Sequence, residues 1–440
     1  MHDLGALTPT AFLITSGIKI TIVFTVIMLT VAMLTLMERK VSAWMQDRLG
    51  PNRVGPGGLL QPIADGVKNI LKEETYPSQA SRVYFILAPM ISIVPALITF
   101  AVIPFAAPLP VPGLGLVEMI LADLPIGILY ILALTGLGVY GIVMAGWSSN
   151  NKYAFLGGLR ASAQMVSYEV GLGMSLIPVF MLAGNVTLTE IVWQQQEGLG
   201  WWFAFPLGLA FFLFVISSFA ETNRLPFDLA EAESELITGY HTEYSSMKFS
   251  MFFIAEYANM LTASALMATL FLGGWDIPFW QGDDMRVVGD GMVQGAHPTG
   301  WKTVLTLGSF ATKTIFFVFV FMWVRWTVPR FRYDQVMHLG WKVMLPAALA
   351  FITLTGTTIL ILDQLGLQFG FVYGLILTVV NTLASGIFFF WLDRDRVMSG
   401  SYAPDRERLL GERRYGDSVH GVPAEDATSR PPRPRSTAGV

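Results

Sequence analysis

Long apolar segments recur along this chain, each near the roughly 20 residues that cross the hydrocarbon core of a bilayer. About nine such segments stand out, at 12–37, 83–105, 124–145, 164–183, 203–219, 249–272, 304–324, 343–362 and 370–392. In lipid, a segment must satisfy its backbone hydrogen bonds within itself, so runs of this kind fold as helices. Of the 440 residues 53% are hydrophobic and only 14% charged, and the mean hydropathy is +0.54. The expected class is therefore an all-α integral membrane protein. Residues 1–396 form its helical domain, with cytoplasmic loops at 38–82, 146–162, 221–248 and 325–342.

Those four loops carry 15 Lys and Arg, whereas the loops on the opposite side carry only Arg286 and Lys302. Cations gather on the cytoplasmic side, so the amino terminus is expected outside and, with an odd number of spans, the carboxyl end inside. For a bacterial chain this means a multi-pass protein of the cell inner (plasma) membrane. Met1 to Thr10 lacks a basic run and a small-residue cleavage site, so no removed signal peptide is expected. Residues 397–440, rich in Arg, Pro, Ser and Asp, have little to bury and read as a disordered cytoplasmic tail. Lys19 and Lys313 fall inside apolar segments, where each either snorkels to an interface or meets an internal partner.

The third inner loop is crowded with acids. Glu221, Asp228, Glu231, Glu233, Glu235 and Glu243 lie within 25 residues that contain one Arg, Arg224. If the stretch after Asp228 is helical, Glu231 and Glu235 share a face and repel one another. Repulsion and desolvation both raise a carboxyl pKa, and coupled acids exchange protons as a group. The set Glu221, Glu231, Glu233 and Glu235 therefore reads as a proton relay. Asp228, three residues before Glu231, also fits a helix N-cap. Glu169 and Glu256 add carboxyls inside the apolar segments themselves, a costly placement that marks function.

The first inner loop runs through Gly50-Pro51-Asn52-Arg53-Val54-Gly55-Pro56, which breaks helix and sets turns. Beyond it, Leu59, Leu60, Ile63, Val67, Ile70 and Leu71 recur at helical spacing, opposite Asp65, Lys68, Asn69 and Lys72. This predicts an amphipathic helix lying along the membrane surface, either as an anchor or as a binding element. Gly136, Gly138 and Gly141 imitate a dinucleotide fingerprint, but no strand precedes them, so helix packing is the expected use.

The chain has no cysteine, which excludes disulfides and thiolate-held iron–sulfur clusters. No metal ligands are expected, and a net charge of −4 argues against a nucleic-acid partner.

Four blocks, 38–77, 147–170, 220–259 and 323–346, resemble the family of quinone-site membrane subunits of respiratory complex I, the proton-pumping NADH:quinone oxidoreductase. They include Leu59-Leu60-Gln61-Pro62-Ile63-Ala64-Asp65 and Pro329-Arg330-Phe331-Arg332-Tyr333-Asp334-Gln335, and together they occupy all four inner loops. The resemblance implies a subunit of a translocating enzyme, seated in the bilayer beneath the hydrophilic arm. It implies quinone as substrate, with FMN and the iron–sulfur clusters on partner subunits. Its neighbours would be the chain carrying the terminal cluster, a second quinone-chamber chain and small membrane subunits. It implies that Arg39, Arg48, Asp65, Lys68, Arg224, Phe227 and Asp228 lie near the quinone. It further implies that Glu169, Glu221, Glu231, Glu233, Glu235 and Glu256 form the acidic track toward the pumping subunits. Two other readings compete. One is the homologous membrane subunit of a ferredoxin- or hydrogenase-linked ion pump. The other is a stand-alone transporter, which predicts internal repeats that the sequence lacks.

Overall fold

A computed structural model describes residues 2–3, 9–112, 115–200, 202–230, 237–278, 280–288 and 292–393. Glu231, Glu233 and Glu235, the helix expected after Asp228 and the tail 397–440 lie outside these residues. The chain divides into a large unit, Met1–Ser385, and a small one, Gly386–Val440.

Among the described residues, eight helices are long and apolar enough to span a membrane. The long helices begin with α1 (Pro9–Met45), α3 (Arg82–Ile98), α4 (Gly127–Ser148) and α5 (Lys152–Ala183). They continue with α8 (Ser246–Phe271), α9 (Gly300–Thr327), α11 (Leu345–Gln364, with the lead-in α10, Tyr333–His338) and α12 (Phe371–Asp393). The remaining expected segment, 203–219, forms α7 (Gly208–Glu221), which is only 14 residues long. The short α6 (Leu188–Trp193) precedes it. The surface helix forms as expected, as α2 (Gln61–Leu71), with Ile63 and Ile70 exposed on its apolar side.

Several helices run further than the apolar pattern suggests. α1 continues through Glu38 to Met45, and α9 continues to Thr327. α5 starts at Lys152, where Asn151 Oδ1 accepts from the Tyr153 amide at 2.9 Å and caps the helix. Hydropathy marks the lipid-crossing part of a helix, not its polar extension into water or into protein. The connecting loops at 38–82 and 146–162 are correspondingly shorter than drawn from sequence, and Glu169 lies deep within α5 rather than near its start.

α8 is the hub. Most of its length is buried, and it packs against α1, α2, α3, α6, α7 and α9. α3, α4, α5 and α7 pack in sequence beside it. The glycines of α4 serve this packing: a Cβ at Gly141 would fall 2.9 Å from the Ala88 carbonyl oxygen of α3. At the amino-terminal end of α1 the loops form two small antiparallel sheets. One orders β1 (His2–Asp3), β5 (Met292–Gly295) and β4 (Met285–Val287); the other pairs β2 (Leu109–Val111) with β3 (Gly115–Val117). Lys19 Nζ donates to the Glu118 and Ile120 carbonyls, at 3.2 and 2.8 Å. Lys313 Nζ donates to three carbonyls, those of Leu272, Gly274 and Asp276. Both lysines thus meet backbone oxygen inside the protein.

Candidate functional site

The inward face of α1 carries Ile27, Val31, Leu34, Glu38 and Val41, alternating by four and three residues. This stripe faces the core, so Glu38 is carried inward with its apolar neighbours and is 6% exposed. A buried carboxylate needs partners, and it has three. Arg224 Nη1 donates to Oε2 at 3.1 Å, Tyr257 OH donates to the same oxygen at 2.6 Å, and Arg325 Nη1 bonds Oε1. Arg224 in turn holds Glu256, its Nε 2.6 Å from Oε1, and its guanidinium lies 4.3 Å from the centre of the Tyr257 ring. Burial works against the Arg224 charge, but Glu256 and Glu38 outweigh it and raise its pKa. Two carboxylates and two guanidiniums therefore form a charge-balanced group joining α1, α8, α9 and the loop after α7.

That loop is held rigidly. Gln164 of α5 donates from Nε2 to the Ala220 and Phe227 carbonyls, at 2.8 and 2.7 Å. Phe227 is buried against Tyr168 and Phe331. Asp228 accepts from Arg330 Nη2 at 2.8 Å, and the Phe331 amide donates to the Pro226 carbonyl at 3.1 Å. Asp228 thus ties its loop to the residues after α9.

A cavity of about 480 Å³ opens between α1, α2 and α8. Its wall is mostly apolar, with Arg39, Asp65 and Lys68 gathered at one place on it, and Tyr257 also lines it. Arg39 Nη1 bonds Asp65 Oδ2 at 2.6 Å, and Lys68 lies 3.9 Å from the other oxygen. Tyr257 therefore belongs to both the cavity wall and the Glu38 group. Arg48 is exposed beyond the end of α1 and does not line the cavity. Arg224, Phe227 and Asp228 do not line the cavity, and Arg224 reaches it only through Tyr257.

Two small cavities lie beyond this group, the first of them lined by Glu256 and the second mostly apolar. One, of about 40 Å³, is lined by Glu256, Asn259, Asn223 and Glu221. The other, of about 30 Å³, shares Glu221 and Asn259 and reaches Thr135, Ser218 and Thr262. The first has the volume and the polar side chains to hold water. Glu169 lies against Gly136, one residue beyond Thr135, so that a Cβ at Gly136 would meet its Oε1 at 2.8 Å. Glu169 is also within Coulombic reach of Glu221. Glu256, Glu221 and Glu169 are thereby brought into one series across α8, α7 and α5.

Glu38 and Arg325 are missed by sequence reasoning that ends each helix with its apolar run, whereas Tyr257, inside an apolar segment, and Arg330, in the loop after α9, carry no local signal. The stripe spacing is the available signal: Glu38 stands at the next helical step after Leu34, and Arg325 four residues after the buried Phe321.

The fold and this site define a multi-pass helical membrane protein with a balanced buried charge group beside an apolar cavity. The NADH dehydrogenase family profile matches residues 18–356, and the chain belongs to that family. It is 51% identical over 358 residues to the second NADH-quinone oxidoreductase H subunit of Geobacter metallireducens, spanning 79% of this chain and 96% of the relative. It is 48% identical over 355 residues to the first NADH-quinone oxidoreductase H subunit of Cytophaga hutchinsonii, spanning 80% and 99%. The resemblance carried by the four loop blocks is borne out.

Proposed function

We propose that this chain is the quinone-site membrane subunit of a proton-translocating NADH:quinone oxidoreductase, and that the cavity between α1, α2 and α8 is the route by which quinone enters from the bilayer. The names and near full-length coverage of the relatives support the enzyme assignment. The observation that carries the site is Tyr257, which lines the cavity and donates to Glu38. A mostly apolar wall suits an isoprenoid tail, and the Arg39–Asp65–Lys68 cluster suits a polar headgroup. Electrons reach the quinone from iron–sulfur and flavin groups on partner subunits, since this chain has no thiolate to hold a cluster.

Quinone reduction consumes two protons and changes charge in a medium where Coulomb forces are several-fold stronger than in water. Tyr257 passes that change to Glu38, and Arg224 links Glu38 to Glu256. Glu256, Glu221 and Glu169 then move protons from one carboxyl to the next toward neighbouring membrane subunits. Glu231, Glu233 and Glu235 are assigned to the same relay on sequence grounds, while Phe227 and Asp228 brace the Arg224 loop. Arg48 is assigned to the interface with the hydrophilic arm. The cation bias supports an amino terminus outside and a cytoplasmic acidic loop, and the names of the bacterial relatives support the inner (plasma) membrane.

A photoreactive quinone analogue added to the intact complex tests the route. Labelling of peptides covering 28–39 and 247–257, competed away by excess quinone, is expected. Competed labels only on other chains or on other helices of this one would refute it.

A further inference from the structure

The opposite end of the bundle holds a second set of charges that the quinone route does not use. Asp276, Asp283 and Asp284, in the loop between α8 and α9, each bring a carboxylate oxygen within 4.8 Å of the others. Asp283 is fully buried. Its Oδ2 accepts from the Ile277 amide at 2.8 Å, while its Oδ1 has no hydrogen-bond donor. Asp276 accepts from Trp202 Nε1 at 2.7 Å.

Lys313 is the cation beside them, but an ammonium has three donors, and carbonyl oxygens take all three. Its charge is close, and it has no proton left for the carboxylates. Three acids against one ammonium leave a deficit of two positive charges.

A separate side chain points to what fills the deficit. Gln196 lies beside Asp276 and is 8% exposed, yet neither its Oε1 nor its Nε2 makes a well-formed hydrogen bond. A buried amide in that state costs free energy unless something coordinates it. All donors at this place are hard oxygens, with no imidazole or thiolate. Calcium takes oxygen ligands at about 2.3–2.6 Å, so ligands on opposite sides of it stand about 5 Å apart, whereas magnesium demands a tighter octahedron.

We propose that Asp276, Asp283 and Asp284, with the Gln196 amide oxygen, bind a divalent cation of the calcium type. The ion would tie the α8–α9 loop to the segment after α6 that carries Gln196. This inference does not depend on the quinone assignment, because its ligands lie at the other end of the helices.

The test uses the intact complex in detergent, with terbium as a luminescent calcium probe. Trp202, bonded to Asp276, is placed to sensitise it. Tryptophan-excited terbium emission that calcium displaces and sodium does not is expected. In Asp284→Asn, a partly buried position that leaves the fully buried Asp283 in place, the calcium needed for displacement should rise about tenfold, since ligand charge sets affinity. Calcium should also raise the melting temperature of the wild-type complex relative to chelator, and raise it less in the variant. Displacement and melting identical in wild type and variant would overturn the proposal, as would their absence from the wild type.

Discussion

The two ends of this bundle treat buried charge in opposite ways. At the end nearest α2, Glu38 and Glu256 are matched by Arg224 and Arg325, and Tyr257 completes the set. At the other end, three aspartates face one lysine whose donors are spent on carbonyls. A matched set keeps its charges fixed in low dielectric, ready to respond when a neighbour changes charge. An unmatched set demands a partner from outside. The first is suited to sensing chemistry in an adjoining cavity, and the second to capturing an ion that fastens loops.

The comparison can be broken most severely at the matched end. Removing one partner of a buried ion pair strands the other and costs about 3–5 kcal/mol. Arg224→Ala and Glu38→Gln should therefore abolish quinone-dependent NADH oxidation. Electron transfer from NADH to an artificial acceptor, which needs only the hydrophilic arm, should persist in membranes where the complex is still assembled. Equal loss of both activities would make the group a structural strut. Tyr257→Phe removes one hydrogen bond to a charged acceptor, worth about 1.5–3 kcal/mol. It should lower quinone turnover roughly ten- to hundred-fold, as the same energy converts to rate. Glu221→Gln interrupts the series at one acid, and a loss of about 1.4 kcal/mol there would slow coupled turnover about tenfold. Combining Tyr257→Phe with Asp284→Asn sharpens the contrast, because distant sites add within about 0.5 kcal/mol. Melting shifts of the assembled double variant that depart further from additivity would show that the two ends communicate. The smallest effect belongs to the tail: deleting 403–440 should leave turnover unchanged, as its composition offers nothing to pack.

Much of the fold was legible because hydropathy and length follow directly from the bilayer. The spans, the surface helix α2 and the small-residue packing of α4 all answer to patterns within single segments. Residue choice also disclosed Glu256, Glu221 and Glu169, since acids in apolar surroundings are conspicuous. Pairing was not legible. Nothing local joins Glu38 to Arg224, 186 residues away, or to Arg325, 287 residues away. Nothing local marks Asp276, Asp283 and Asp284 as a group, because their crowding arises only when Asp276 folds back toward Asp283 and Asp284. The finer lesson concerns helix ends. Glu38 and Arg325 sit one residue beyond runs of lipid-like composition, and a boundary drawn by hydropathy assigns both to loops.

The most direct measurement of the central claim is proton uptake into proteoliposomes containing the intact complex, followed beside NADH oxidation, for wild type and Glu256→Gln. The linked group of Tyr257, Glu38, Arg224 and Glu256 predicts that quinone-driven pumping and quinone reduction fall together while the artificial-acceptor rate holds. A Glu256→Gln complex that reduces quinone and pumps at the wild-type rate would contradict it.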